Sequence, residues 1–178
     1  MALYATDLTW RWAATDTNGA GSSISETSGP DITLSSLPVP SGDLIIVFAS
    51  CAQYGSSSLT MACSDTQSLA WTKYGGNATD TGEYHQVHGN IFTAVSNGSA
   101  TTITVTYRSG WTSESYATSV ARAYSISGHF AVGTSGSAVH VPGVADPTLT
   151  LGAAPASSSL VVGYGVGNAE WTSRTFDA

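Results

Sequence analysis

The chain has 178 residues, 42% hydrophobic and only 10% charged, and its twelve acidic and five basic side chains give a formal net charge of −7. One domain of this length buries roughly 70% of its extended-chain surface and needs no staple to fold. The five cations (Arg11, Lys73, Arg108, Arg122 and Arg174) are scattered, which argues against nucleic acid and anionic membrane surfaces as partners, and no apolar run approaches the length of a membrane span.

Scarcity of Glu, Lys and Arg deprives helices of their usual surface residues, while Ser, Thr and Gly suit strands joined by short turns. The N-terminus, Met1 to Asp7, has neither a basic region nor an apolar core, so no signal peptide is expected. Leu8, Trp10 and Trp12 alternate with Thr9 and Arg11, which predicts a first strand with the apolar residues on one face. That strand either covers the core or docks on a neighbour, and paired tryptophans also suit sugar stacking. Residues 14–30 are polar and glycine-rich and read as a linker, so residues 1–29 are an expected N-terminal arm and linker, and 30–178 the main domain.

Short strands are predicted at 31–35 and 43–51. The second contains the most informative stretch, an unbroken apolar run from Leu44 to Phe48 between Pro40-Ser-Gly-Asp43 and Gly55-Ser-Ser-Ser58. Four of its five residues are β-branched or aromatic, and turn formers flank it, so it reads as a strand. Without polar alternation both faces should be buried, which makes it a central strand. Leu59 to Cys63 alternates as a strand, and a hairpin near Ser57 would set Cys51 opposite Cys63. A cytosolic origin favours reduced thiols, and free cysteine is commonly a small buried hydrophobe.

Trp71 to Tyr74 reads as a short strand, 75–83 as an exposed loop and Gln86 to Val95 as a strand. Asn97-Gly98 is a strong turn signal and predicts a hairpin to the next strand. There Ile103, Val105 and Tyr107 face in while Thr102, Thr104 and Thr106 face out. From Tyr116 to Ile126, Thr118, Val120, Arg122, Tyr124 and Ile126 share one face and small residues the other, a pattern for close sheet-to-sheet packing, although the alanines also suit a helix. Residues 146–150 and 155–164 echo 31–35 and 40–48, and a further strand is predicted at about 160–167. About nine short strands without a clear helix indicate an all-β fold, an antiparallel β-sandwich of jelly-roll-like form.

Little in the pattern supports chemistry. His85 and His88, three apart, fall on opposite faces of a strand and cannot share a metal through local geometry. His129 and His140 flank a glycine-rich loop. Asp80, Glu83, Glu114 and Glu170 are the carboxylates a glycosidase would draw on, and all fall in predicted loops. Asp31, Asp43, Asp65 and Asp146 stand at strand ends, where turn capping is their expected job, with calcium second. Neither a GxSxG elbow nor a phosphate-binding glycine loop occurs. The expectation is no enzyme, no catalytic residues, no metal and no cofactor. Tyr84, Trp111, Trp171 and Tyr54 fall in or beside loops, where aromatics pack at the core edge, stack on sugars or anchor a protein.

Several of these stretches together resemble a β-sandwich module of phage tail fibres, spikes and other virion proteins, also found in bacterial surface proteins. The residues that carry the likeness are Pro40-Ser-Gly-Asp-Leu-Ile-Ile-Val47, Asp65 with Trp71-Thr72, Gly89-Asn-Ile-Phe-Thr-Ala94, Thr102-Ile-Thr-Val-Thr-Tyr107, Ala121-Arg-Ala-Tyr-Ser-Ile-Ser-Gly128 and Ser159-Leu-Val-Val-Gly163. The likeness spans about residues 30–170 and implies a non-enzymatic structural protein of a particle, a homo-oligomer of three or more chains that contacts other virion proteins. On that reading the chain is made in the bacterial cytoplasm and resides in the virion. Trp10 and Trp12 are the candidate attachment to the particle, and Tyr84, Trp111 and Trp171 the candidate glycan or protein contacts. The alternative is a carbohydrate-binding module recognising bacterial surface polysaccharide. Modules of this look continue for two or three strands past the second Trp-Thr, so a C-terminally incomplete sandwich is expected, or one whose missing edge comes from another chain.

Overall fold

In the computed structural model, residues 9–22, 31–54, 59–75, 85–109 and 117–127 are described, with Gly133, Leu151, Ala153 and Ala154. They form β1 (Thr9–Ser22), β2 (Ile32–Leu37), β3 (Leu44–Tyr54), β4 (Leu59–Asp65), β5 (Thr72–Tyr74), β6 (His85–Val95), β7 (Thr101–Ser109) and β8 (Ala117–Ser127), with no helix among the described residues. Two antiparallel sheets result, one in the order β1-β8-β3-β6-β5 and the other β2-β7-β4. The all-β sandwich expected from the strand pattern is therefore present, and the stretch from 117 to 127 is a strand.

The apolar run explains why β3 is central. β6 pairs along one side of it from Leu44 to Tyr54, and β8 along the other from Leu44 to Gln53. Alternation sends Ile45, Val47, Ala49 and Cys51 into the space between the sheets. There they join Ile32, Leu34, Met61, Phe92, Ile103, Val105, Tyr107, Ala121 and Ala123 in the main core. Leu44, Ile46 and Phe48 point the other way and form a second buried cluster with Ile126, flanked by Ile91 and Tyr124. Both faces of β3 are thus closed, as a run without polar alternation requires.

The other strands follow their alternation. Ile103, Val105 and Tyr107 are fully buried, while Thr102, Thr104 and Thr106 are half-buried on the far face. In β8 the small residues Ala121, Ala123 and Ser125 are fully buried, whereas Arg122 is exposed. Small side chains on β8 and large ones on the facing sheet, Tyr107 above all, share one core, as close packing demands.

Four local expectations are corrected. Residues 14–22, read as linker, continue β1, whose Thr15 to Asn18 pair with Arg122 to Ser119 of β8. Strand pairing uses backbone groups, so a polar stretch can complete a sheet edge without apolar side chains. The alternation across the two tryptophans is broken: Trp10 lies opposite Ile126 and Trp12 opposite Ser125, with a register irregularity between them. Asn97-Gly98 closes no hairpin, because β6 and β7 belong to different sheets. Cys51 and Cys63 likewise lie on different sheets, and neither is in a disulfide. In each misread turn, burying the apolar faces of both strands favoured a crossing of the roughly 10 Å between sheets over a return alongside.

Hydrogen bonds lock the β6–β7 crossing to the turn before β3. Gly42 N–H donates to the Ser96 carbonyl and Ser96 N–H to the Asp43 carbonyl, both at 2.9 Å. The Ser96 hydroxyl donates to the Val39 carbonyl at 2.9 Å and accepts from Gly98 N–H at 3.1 Å. Gly98 has φ +89°, and a Cβ there would stand 2.9 Å from the Cβ of Ser41. Both the left-handed backbone and the close approach therefore demand glycine.

Candidate functional site

Two groupings of polar side chains interrupt the packed core, and each follows from strand parity. The first is the turn after β4. The Asp65 carboxylate accepts from Gln67 N–H at 2.5 Å, Leu69 N–H at 3.0 Å, the Trp71 indole N–H at 2.7 Å and the Thr101 hydroxyl at 3.4 Å. Thr66 N–H donates to the Thr102 carbonyl at 3.1 Å, and the Thr66 hydroxyl accepts from Thr102 N–H at 3.1 Å. One carboxylate thus shapes the turn, holds the indole of Trp71 against the main core and ties both to the start of β7. Four donors occupy the oxygens that a metal or a substrate proton would need. Turn capping, the role expected of Asp65, is its role here. Of its companions, Asp43 is buried and accepts from the Ser125 hydroxyl at 3.5 Å, Asp31 is exposed, and Asp146 lies outside the described residues.

The second grouping lies on the core-facing side of β6. His88 and Asn90 share that side with Phe92 and Ala94, and stand opposite Cys51 and Ala49 of β3. His88 is fully buried and Asn90 is 1% exposed. Burial first, and the nearby Lys73 cation second, push the His88 imidazolium pKa down to about 4, so the ring is neutral at physiological pH. Neither carboxamide atom of Asn90 has a hydrogen-bond partner among the described residues. Across the gap, burial and then the Asp65 charge push the Cys63 thiol well up, which keeps it protonated and a poor nucleophile.

No family model, curated protein or solved structure matches this chain.

Structure and sequence meet only partly at the candidate residues. Tyr84, Trp111 and Trp171, named for glycan or protein contact, lie outside the described residues, and so do His129, His140, Asp80, Glu83, Glu114 and Glu170. Trp10 and Trp12 are placed by backbone register only, on the β1 edge of the five-stranded sheet. The register of β3 with β6 runs without a break from Tyr54–His85 to Cys51–His88, so the two histidine positions have opposite parity as expected. Among the described residues no group of three or more His, Cys, Asp or Glu is placed to hold a metal, and no helix is long and apolar enough to cross a membrane. Asn90 is not among the residues whose type and spacing pointed to a site. His88, Asn90, Phe92 and Ala94 share a parity, but parity fixes only a common face, and which face is covered is decided by the opposite sheet.

Proposed function

We propose that this chain is a non-enzymatic structural component of a phage or phage-like particle, in a fibre, spike or head decoration, and works as a homo-oligomer in contact with other virion proteins. The observation that carries the reading is where the residues of the resemblance fall. Pro40 to Val47 makes the turn and central strand, Asp65 and Trp71 make the capped turn, and 89–94, 102–107 and 121–127 are the packed parts of β6, β7 and β8. The shared stretches are thus the skeleton of a sandwich whose polar groups serve turns and packing. A composition with only 10% charged residues suits a body whose contacts are made by shape. On this reading β1, at the edge of the five-stranded sheet, carries Trp10 and Trp12 to the neighbouring protein.

Native mass spectrometry of the purified full chain is the test. A trimer or larger closed ring is expected, together with recovery of the chain in purified particles. A stable monomer of 18.2 kDa that is absent from particles would overturn the proposal. If that monomer bound host polysaccharide, the carbohydrate-binding reading would take its place.

A further inference from the structure

We infer that Asn90 anchors an internal water molecule between the two sheets, beside the point where β5 leaves β6. The carboxamide is 1% exposed, and neither its Nδ2 nor its Oδ1 has a hydrogen-bond partner among the described residues. Proteins satisfy the great majority of buried polar side-chain atoms with protein groups or ordered water. A carboxamide left dry and unpaired forfeits its hydration with nothing in return, and an apolar residue of the same shape would serve a dry core better.

The neighbours of Asn90 within its sheet are small. The paired part of β5 ends at Tyr74, opposite Ile91, one residue short of Asn90. Gly75 follows, with φ +95°, and a Cβ built there would stand 3.9 Å from Oδ1 of Asn90 and 3.5 Å from the Gly89 carbonyl oxygen. Glycine leaves that position open. On the other side Asn90 faces Ala49 of β3, beyond which lies Ala121 of β8. A row of Gly75, Asn90, Ala49 and Ala121 is therefore narrow on both sides of its one polar member.

The chemistry of the anchor selects the ligand. A carboxamide offers two N–H donors and a carbonyl acceptor and carries no charge. Its matching ligand is small, neutral and able both to donate and to accept. Among the described residues no group of three or more His, Cys, Asp or Glu is placed to hold a cation here. Water has that donor-and-acceptor chemistry, and the Gly89 carbonyl oxygen lies on the same side, 3.5 Å from where a Gly75 Cβ would stand. Internal waters typically make about three hydrogen bonds to groups that otherwise lack them.

A crystal structure of the full chain tests the inference directly. Ordered density is expected at about 2.7–3.2 Å from Asn90 Nδ2 or Oδ1, and its loss is expected in Asn90→Leu with the strands unmoved. The same variant should melt no higher than the native chain, because it discards a satisfied anchor. A carboxamide bonded directly to protein, or no density beside it, overturns the inference. A higher melting temperature for Asn90→Leu does so too, since it would show that the native amide was dry. If Asn90→Leu does not fold, the native structure decides alone.

Discussion

At the scale of single residues, the polar side chains placed by the structure work on conformation. Asp65 is the clearest case, because one carboxylate receives two backbone amides, an indole and a hydroxyl. Hydrogen bonds to a charged group contribute about 1.5–3 kcal/mol each, so Asp65→Ala should destabilise the fold by at least about 2 kcal/mol. Trp71→Phe keeps an aromatic ring but loses the indole N–H bond and part of the packing, for a cost of about 1–2 kcal/mol. Urea unfolding of both variants checks the ranking, and equal costs would mean that the turn depends on the indole rather than on the carboxylate. His88 gives a prediction in pH. Its pKa falls from 6.5 to about 4 on folding, so below pH 6.5 the unfolded chain binds the proton more readily. Its contribution is fully present above pH 6.5, is lost as the pH falls from 6.5 towards 4, and changes no further below that. The loss is at most roughly 3 kcal/mol, at about 1.4 kcal/mol per unit. Carboxylates add their own dependence, so the quantity to measure is the difference between the native chain and His88→Gln in denaturation midpoint from pH 7 to 4. A variant as acid-sensitive as the native chain would remove His88 from the account. Asp65 was legible beforehand, because an Asp at a strand end has few other uses. Asn90 was hidden because an exposed Asn and a buried one are spelled alike until the opposite sheet is in place.

At the scale of elements, β3 organises the molecule and its two buried faces can be tested separately. Ile45 points into the space between the sheets and Ile46 into the second cluster, at 0% and 5% exposure. Truncating a buried Ile to Ala costs about 2–5 kcal/mol. Ile45→Ala and Ile46→Ala should therefore both fall in that range by chemical denaturation. If Ile46→Ala cost under about 1 kcal/mol, as surface substitutions do, β3 would be packed on one face only. The run from Leu44 to Phe48 made this strand legible, since only a doubly covered strand tolerates so many apolar residues in sequence. The Thr102–Tyr107 alternation did the same for β7. Turn residues were less informative. Asn97-Gly98 marks a change of direction, and Gly98 is needed for its left-handed φ and its approach to Ser41, yet the dipeptide does not say whether the next strand returns beside the last or crosses to the other sheet.

At the scale of the whole molecule, β1 tests what the polar N-terminal stretch is for. It pairs with β8 at the edge of the five-stranded sheet, so deleting residues 1–22 should leave a long row of unpaired β8 backbone groups. Such an edge recruits other chains, and the truncated protein should aggregate or melt well below the full chain by light scattering and thermal denaturation. A truncation as soluble and as stable as the full chain would return residues 14–22 to the role of a linker. Strand periodicity by itself determined the all-β class, the central place of β3 and the inward faces of β7 and β8, because side-chain alternation is a local property written every second residue. Which strands share a sheet was decided only by the tertiary structure, and with it the separation of Cys51 from Cys63, the extension of β1 through residues 14–22 and the burial of Asn90 opposite Ala49. These depend on backbone pairing and on the covering of one face by another, which join residues far apart in the chain and leave no mark on their immediate neighbours.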